Sequence, residues 1–177
     1  MTDRLIRALP FSEFASRIPQ LNEILIECVA GGASVSFMHP LSVSKATQFW
    51  QNVALSVGNN ERTVLIAEDE NQQIVGTVQL ITDQPENQPH RADVSKMLVH
   101  PRARRRGIAQ KLMRQLEATA SQAGKTVLVL DTATGSDAEM LYQSLGWVRS
   151  GSIPDYALMP DGALCSTTFY FKHLKLV

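Results

Sequence analysis

Two cysteines, Cys28 and Cys165, are all the thiol chemistry in this chain of 177 residues. Neither has the spacing of a metal knuckle, and a two-cysteine chain needs no disulfide, so both are expected as core thiols. Net charge is absent as well, since 17 Lys+Arg balance 17 Asp+Glu. Bulk attraction to nucleic acid or anionic lipid is therefore not indicated, and any anion site must be local. No apolar run reaches the about 18 residues of a spanning helix. The opening "MTDRLIRALP" holds no apolar core of signal-peptide length, which points to the cytoplasm. The histidines His39, His90, His100 and His173 have no ligand spacing, so no metal is read. No repeat, low-complexity tract or Pro/Gly/Ser linker divides the chain. Residues 1–177 are expected to form one domain, large enough to bury roughly 70% of its unfolded surface.

What is present reads as alternating elements. "DRLIRAL" suggests a first strand. Leu21, Ile24, Leu25, Cys28 and Val29 recur at helical spacing, with Pro19 expected to break or restart that helix. A second helix follows Pro40, with Ala46, Phe49, Trp50, Val53 and Val57 on one face. The period then changes: "RTVLIAED" and "QIVGTVQLIT" form a hairpin around "ENQ", and "RADVSKMLVHP" is a strand halted by Pro101. A helix follows with Ile108, Leu112, Leu116 and Ala120 four apart, capped by Gly124. "KTVLVLD" is a continuous apolar run of the kind a strand buried on both faces requires. "SDAE" at 136–139 reads as a capping box, and two last strands near 147–153 and 165–175 flank a "PDYALMPDG" loop. The order β-α-α-β-β-β-α-β-α-β-β implies an α/β chain with a mixed sheet and helices packed on its faces.

The basic residues are not spread evenly. "RARRRGIAQKLM" gathers Arg102, Arg104, Arg105, Arg106 and Lys111 around Gly107, between a strand end and a helix start. The first turn of a helix offers unpaired N–H groups and the positive end of the dipole, so a phosphate fits there. Gly107, without a Cβ, lets the backbone come close, and small Ala109 does much the same. The stretch is neither GxxxxGK[ST] nor GxGxxG. A solvated helix start is the plain alternative.

Its neighbours add weight to a site. Arg104 to Ala109 matches (Gln/Arg)-x-x-Gly-x-(Gly/Ala), directly after "KMLVHP", and "AEMLYQSLGW" follows about thirty residues on. Together these resemble the GNAT superfamily of acetyl-CoA-dependent N-acetyltransferases, over residues 3 to 175. The tail "GSIPDYALMPDGALCSTTFYFKHL" is similar to the branch that includes the tabtoxin-resistance acetyltransferases. The resemblance implies a GNAT-type fold of about seven strands and four helices, with a splayed parallel pair at its centre. It implies that the cofactor pyrophosphate lies on Arg104, Arg105, Arg106, Gly107, Ile108, Ala109 and Gln110. The pantetheine arm would pair with the backbone of Met97, Leu98 and Val99. Where many members carry a pantetheine-binding Asn, this chain has Gly135, and Ser136 is the candidate substitute.

Moving an acetyl group from a thioester to an amine makes three chemical demands. The amine must lose a proton, the carbonyl oxygen needs a donor as it turns negative, and the departing thiolate benefits from a proton. Tyr142, at the family's tyrosine position, is the candidate acid; a core tyrosine on the Ala138–Leu141–Leu145 stripe is the other reading. Leu98 or Val99 N–H is the candidate oxyanion donor. Asp131, whose expected burial would raise its pKa, and Asp93, directly or through water, are the candidate bases; either can instead be a turn or edge carboxylate. His100 is expected to mark the strand end.

The function expected is acetyl transfer from acetyl-CoA to the primary amine of a small polar acceptor, amino-acid-like or a toxin. A noncatalytic acyl-CoA-binding protein of the same fold and a protein N-acetyltransferase are the alternatives. A nucleic-acid patch lacks the aromatic interleaving and the broad basic face such binding needs. The acceptor cleft is expected between the 31–39, 84–90 and 153–164 loops, with Ser34, Ser36, Asp155, Tyr156 and Asp161. Family resemblance further implies a homodimer through the last strands.

Overall fold

Period-2 stretches become strands and period-3.6 stretches become helices, in the order read from the sequence. The computed structural model describes residues 6–175. It runs through β1 (Ile6–Ala8), α1 (Phe14–Ala30), α2 (Val43–Gly58), β2 (Arg62–Glu68), β3 (Ile74–Ile81) and β4 (Arg91–Val99). Then come α3 (Ile108–Gln122), β5 (Val127–Ala133), α4 (Asp137–Ser144), β6 (Val148–Leu158) and β7 (Leu164–His173). One seven-stranded sheet results, in the order β1-β2-β3-β4-β5-β7-β6. Every pairing is antiparallel except that of β4 with β5.

Two apolar cores lie on opposite faces. On one, Phe14, Leu21, Ile24 and Leu25 of α1 and Trp50 of α2 meet Val64, Ile66 and Leu98. On the other, Leu112, Met113 and Leu116 of α3 and Tyr142 of α4 meet Leu65, Val78, Val94, Leu128 and Tyr170. Each large apolar side chain buried this way contributes about 1.5–3 kcal/mol. Gly76 seats α3: a Cβ there would stand 2.9 Å from Ile108 Cγ2 and 3.0 Å from Leu112 Cδ1. The β2–β3 turn is closed by Asp69, whose Oδ1 accepts from the N–H of Asn71 and Gln73 at 2.9 and 3.0 Å.

Several expectations are corrected. Pro19 does not break α1. It sits on the solvent side, as does Ala15, so the carbonyl that loses its i+4 donor remains open to water. β5 is not buried on both faces: Leu128 and Leu130 are buried, but Val127 and Val129 are only half-buried and Asp131 is exposed. β6 is longer than expected and continues through Pro154 to Leu158 past a bulge, leaving a short turn at 159–163. As an edge strand, β6 can accommodate a residue with no N–H. The capping box is not made, since Ser136 makes no side-chain cap and Glu139 accepts from Gly135 N–H at 3.4 Å rather than from Ser136. The part of "DRLIRAL" before Ile6 lies outside the described residues.

Candidate active site

Parallel pairing between β4 and β5 covers only Arg91–Val127, Ala92–Leu128 and Asp93–Val129. Beyond it β4 stays with β3 as far as Val99, and β5 stays with β7 as far as Ala133. The two central strands therefore part, leaving a wedge whose walls are 94–99 and 130–133. His100 N–H donates to the Val75 carbonyl at 2.9 Å, and Leu98 pairs with Thr77. Alternation along the antiparallel ladder then commits Leu98 N–H to β3 and turns Val99 N–H into the wedge. Of the two backbone donors considered, Val99 is the one the fold leaves available. Met97 stands beside it at a bulge, where the β3–β4 register slips between Thr77 and Gln79.

The wedge ends at the basic loop. Pro101–Ala103 form a 3-10 turn capped by His100, whose Nδ1 accepts from Arg102 N–H at 3.2 Å while Nε2 meets Glu23 Oε1 at 3.0 Å. His100 is thus a strand-end residue held by two partners. Arg105 and Gly107 both take left-handed backbone, φ 57° and 75°. The first backbone bond of α3 is Lys111 N–H to the Gly107 carbonyl at 3.1 Å. The N–H groups of Ile108, Ala109 and Gln110 precede it without a side-chain cap, and no acid stands in this first turn. By contrast, Ser42 caps α2, and α4 opens with Asp137 and Glu139. A Cβ on Gly107 would project into open space. Uncapped donors, a clear approach and flanking arginines fit a pyrophosphate. Arg105 and Arg106 are exposed beside this turn. Arg104 turns elsewhere: its Nε donates to the Val99 carbonyl at 3.3 Å, and its tip lies 3.8 Å from Cys28 Sγ. Cys28 is buried, and that burial pushes its thiol above the usual range.

Tyr142 lies on the α3 side of the wedge, 5% exposed, between the rings of Trp147 and Tyr170 at 6.0 and 6.1 Å. Burial, and then the charge of Asp131, push its hydroxyl well above the usual tyrosine range. It stays protonated at neutral pH. Ser136 Oγ lies 3.3 Å from Thr132 Oγ1, at the open end of β5.

The two carboxylates part company. Asp131 is exposed, which corrects the expected burial, and its Oδ2 accepts from Thr167 Oγ1 at 2.9 Å. It faces a cavity of ≈ 310 Å³ shared with Ser34, Ser36, Tyr156, Cys165 and Thr167. Asp93 lies where β4 and β5 are still paired, held by Arg91 and by Gln84 Nε2 at 3.1 Å. The 84–90 loop is engaged there too, with Pro89 and His90 carbonyls bonded to Lys125 and Thr126, and none of its residues borders the cavity. Asp155 and Asp161 are likewise outside its walls, and Cys165 is a wall residue rather than a core thiol.

One residue of the site escapes a reading of composition and motif. Lys96 occupies the β4 bulge with φ 53°, and its Nζ donates to Ser36 Oγ at 3.1 Å. Burial pushes its ammonium below the usual lysine range, with Asp131 opposing and Arg62 reinforcing the shift.

A family model described as an acetyltransferase (GNAT) domain matches residues 60–149. Among solved structures, an N-acetyltransferase from Staphylococcus aureus Mu50 superposes with TM-score 0.79 at 18% identity, covering 98% of this chain and 100% of that one. A GNAT superfamily phosphinothricin acetyltransferase from Sinorhizobium meliloti, in complex with AcCoA, gives 0.79 at 19%, covering 98% and 89%. A ribosomal-protein-alanine N-acetyltransferase from Brucella melitensis gives 0.78 at 24%, covering 96% and 99%. At these identities the likeness is one of fold.

Proposed function

Because this chain belongs to the GNAT acetyltransferase family, we propose that it transfers the acetyl group of acetyl-CoA to the primary amine of a small polar acceptor. The observation that carries this reading is the ≈ 310 Å³ cavity holding Asp131 beside the β4–β5 wedge. That volume is at the low end for small-molecule pockets and suits a compact amine better than a peptide tail.

Acetyl-CoA supplies the activated thioester; the chain supplies placement, charge and protons. The uncapped N–H groups of Ile108, Ala109 and Gln110, with Gly107, Arg105 and Arg106, hold the pyrophosphate. The backbone of Met97 to Val99 lines the arm, with Ser136 at the far wall. For this, Arg104 gives up the Val99 carbonyl it now occupies. Asp131, steadied by Thr167, accepts the proton of the incoming amine. Val99 N–H meets the carbonyl oxygen as it becomes negative, a fixed donor that needs no reorganisation. Tyr142, kept protonated by burial, gives its proton to the leaving sulfur. Asp93, bound by Arg91 and Gln84, serves the closed end of the strand pair rather than the acceptor. We read the chain as a single N-acetyltransferase domain, cytoplasmic, and dimeric through the β6 edge. Exposed Val148, Ile153, Tyr156 and Leu158 support that edge as the contact.

Three measurements test the reading. Calorimetry with acetyl-CoA is expected to show saturable heat that weakens as salt rises. Mass spectrometry of a metabolite pool incubated with protein and acetyl-CoA is expected to show acetylated small amines. Asp131→Asn should then lower kcat by roughly 10²–10⁴-fold, and Asp93→Asn far less. No heat with acetyl-CoA, or the opposite ranking of the two variants, overturns the assignment.

A further inference from the structure

On the face covered by α1 and α2, two neighbouring strands carry buried donors without partners, and a third carries an ammonium without a counter-charge. Arg62 of β2 uses one terminal nitrogen on Gln79 Oε1 of β3 and leaves Nε without a partner among the described residues. Gln79 is fully buried, and its Nε2 likewise has no partner among them. Ser95, opposite Gln79, leads into Lys96 at the bulge. The Lys96 ammonium touches Ser36 and hangs 5.8 Å from the centroid of Phe49, but no carboxylate among the described residues ion-pairs with it.

Buried polar groups normally find partners, and buried cations normally find counter-charges. Here two nitrogens lack an acceptor and the ammonium beside them lacks a counter-charge, so all three groups are donors and two are cationic. That is the complement of an anion. Across the wedge Asp131 supplies the opposite charge, near enough to act on the ammonium, yet the two are not paired. Ser36 holds the lysine and Thr167 holds the aspartate, and both hydroxyl residues line the same cavity. The ammonium rests behind a wall hydroxyl and the carboxylate stands in the wall itself, an arrangement matched by a ligand carrying both charges in reverse.

Resting on the acetyl-transfer reading, we propose that Lys96, backed by Arg62 and Gln79, binds the carboxylate of a zwitterionic amino-acid acceptor whose amine is turned to Asp131. Lys96 is then the residue that separates amino acids from plain amines. Phe49 beneath the ammonium strengthens its hold on that position.

Matched acceptors test this directly. The standard L-amino acids and their carboxamides, which differ only in the charged group, are assayed with acetyl-CoA and the whole chain. The wild-type protein is expected to favour the acids over their carboxamides by about 10- to 100-fold in kcat/KM, the range of a charge-assisted hydrogen bond. Lys96→Met should bring that ratio close to one, through KM rather than kcat, and Lys96→Arg should retain a clear preference. A cooperative thermal transition in each variant shows that it folds. Equal use of acids and carboxamides by the wild-type protein sinks the anion site while leaving acetyl transfer standing. A loss of kcat in Lys96→Met with the ratio intact would make Lys96 part of the chemistry instead. Acetyl-CoA heat without product from any acid or carboxamide removes the small-amine reading, and this proposal with it.

Discussion

Phenylalanine at position 142 would keep a ring between Trp147 and Tyr170 and remove only the proton. If that proton goes to the leaving sulfur, Tyr142→Phe lowers the single-turnover rate by roughly 10²–10⁴-fold. Acetyl-CoA affinity should move by no more than about 1 kcal/mol, the net worth of one hydrogen bond. A rate within about threefold of wild type would leave Tyr142 as a packing residue. Single-turnover measurement matters because product release can mask a slower chemical step. Tyr142 is legible in the sequence because its motif is local. Lys96 is not, since a lysine in a strand-like run reads as a solvated position. Yet a trace of it is there. Ala92 and Val94 point to the α3 face, and so do Met97 and Val99, so the apolar alternation slips by one residue at Lys96. Such a slip is the signature of a bulge. Which charges gather around the bulge depends on β2 and β5, brought there by pairing between distant segments.

At the scale of elements, the proposed cofactor site is the junction of a strand end and a helix start, and its precision depends on how α3 sits on the sheet. Gly76 sets that seat. Gly76→Ala puts a carbon within about 3 Å of Ile108 and Leu112, so the first turns of α3 must shift. The expected cost is about 1–3 kcal/mol of stability from overpacking, with a matching loss in acetyl-CoA affinity, because the N–H groups of Ile108 and Ala109 move with the helix. Thermal melts and calorimetry on one preparation check both. A variant that loses stability but binds acetyl-CoA like wild type would show that the loop, rather than the seating of α3, positions the donors. The elements themselves were readable from periodicity, and their order was right from β2 to β7. Burial was harder to read. The run "KTVLVLD" looks two-sided in sequence, but beyond Asp93 no strand pairs with β5 on its β4 side, so half of it borders the wedge. Ser136 fails as a cap for a related reason: its hydroxyl is drawn to Thr132 at the end of that same strand.

For the whole molecule, the balance of 17 positive and 17 negative side chains conceals a strong division of environments. On the α3 face the phenol of Tyr142 is buried among apolar side chains, and that burial couples folding to pH. Tyr142 is held neutral in the folded chain with its pKa raised above the ordinary 10.0. The sign follows from linkage. A raised folded pKa gives stability that is complete below the unfolded value and is lost as pH rises towards the folded one. Unfolded chains release this proton first, so alkali drains the folded state. Nothing changes near neutrality, where both states keep the proton, so the proton that the proposed acid role needs is present throughout that range. Above pH 10 the wild-type chain should lose stability faster than Tyr142→Phe, by on the order of 1 kcal/mol for each further pH unit. The rest of the chain contributes equally to both curves, so the difference between the two proteins carries the information, not either curve alone. Chemical denaturation of both at intervals between about pH 8 and pH 11 gives that difference. If the two stability curves run parallel across pH 10, the phenol is not shielded in solution, and burial is not what keeps it protonated.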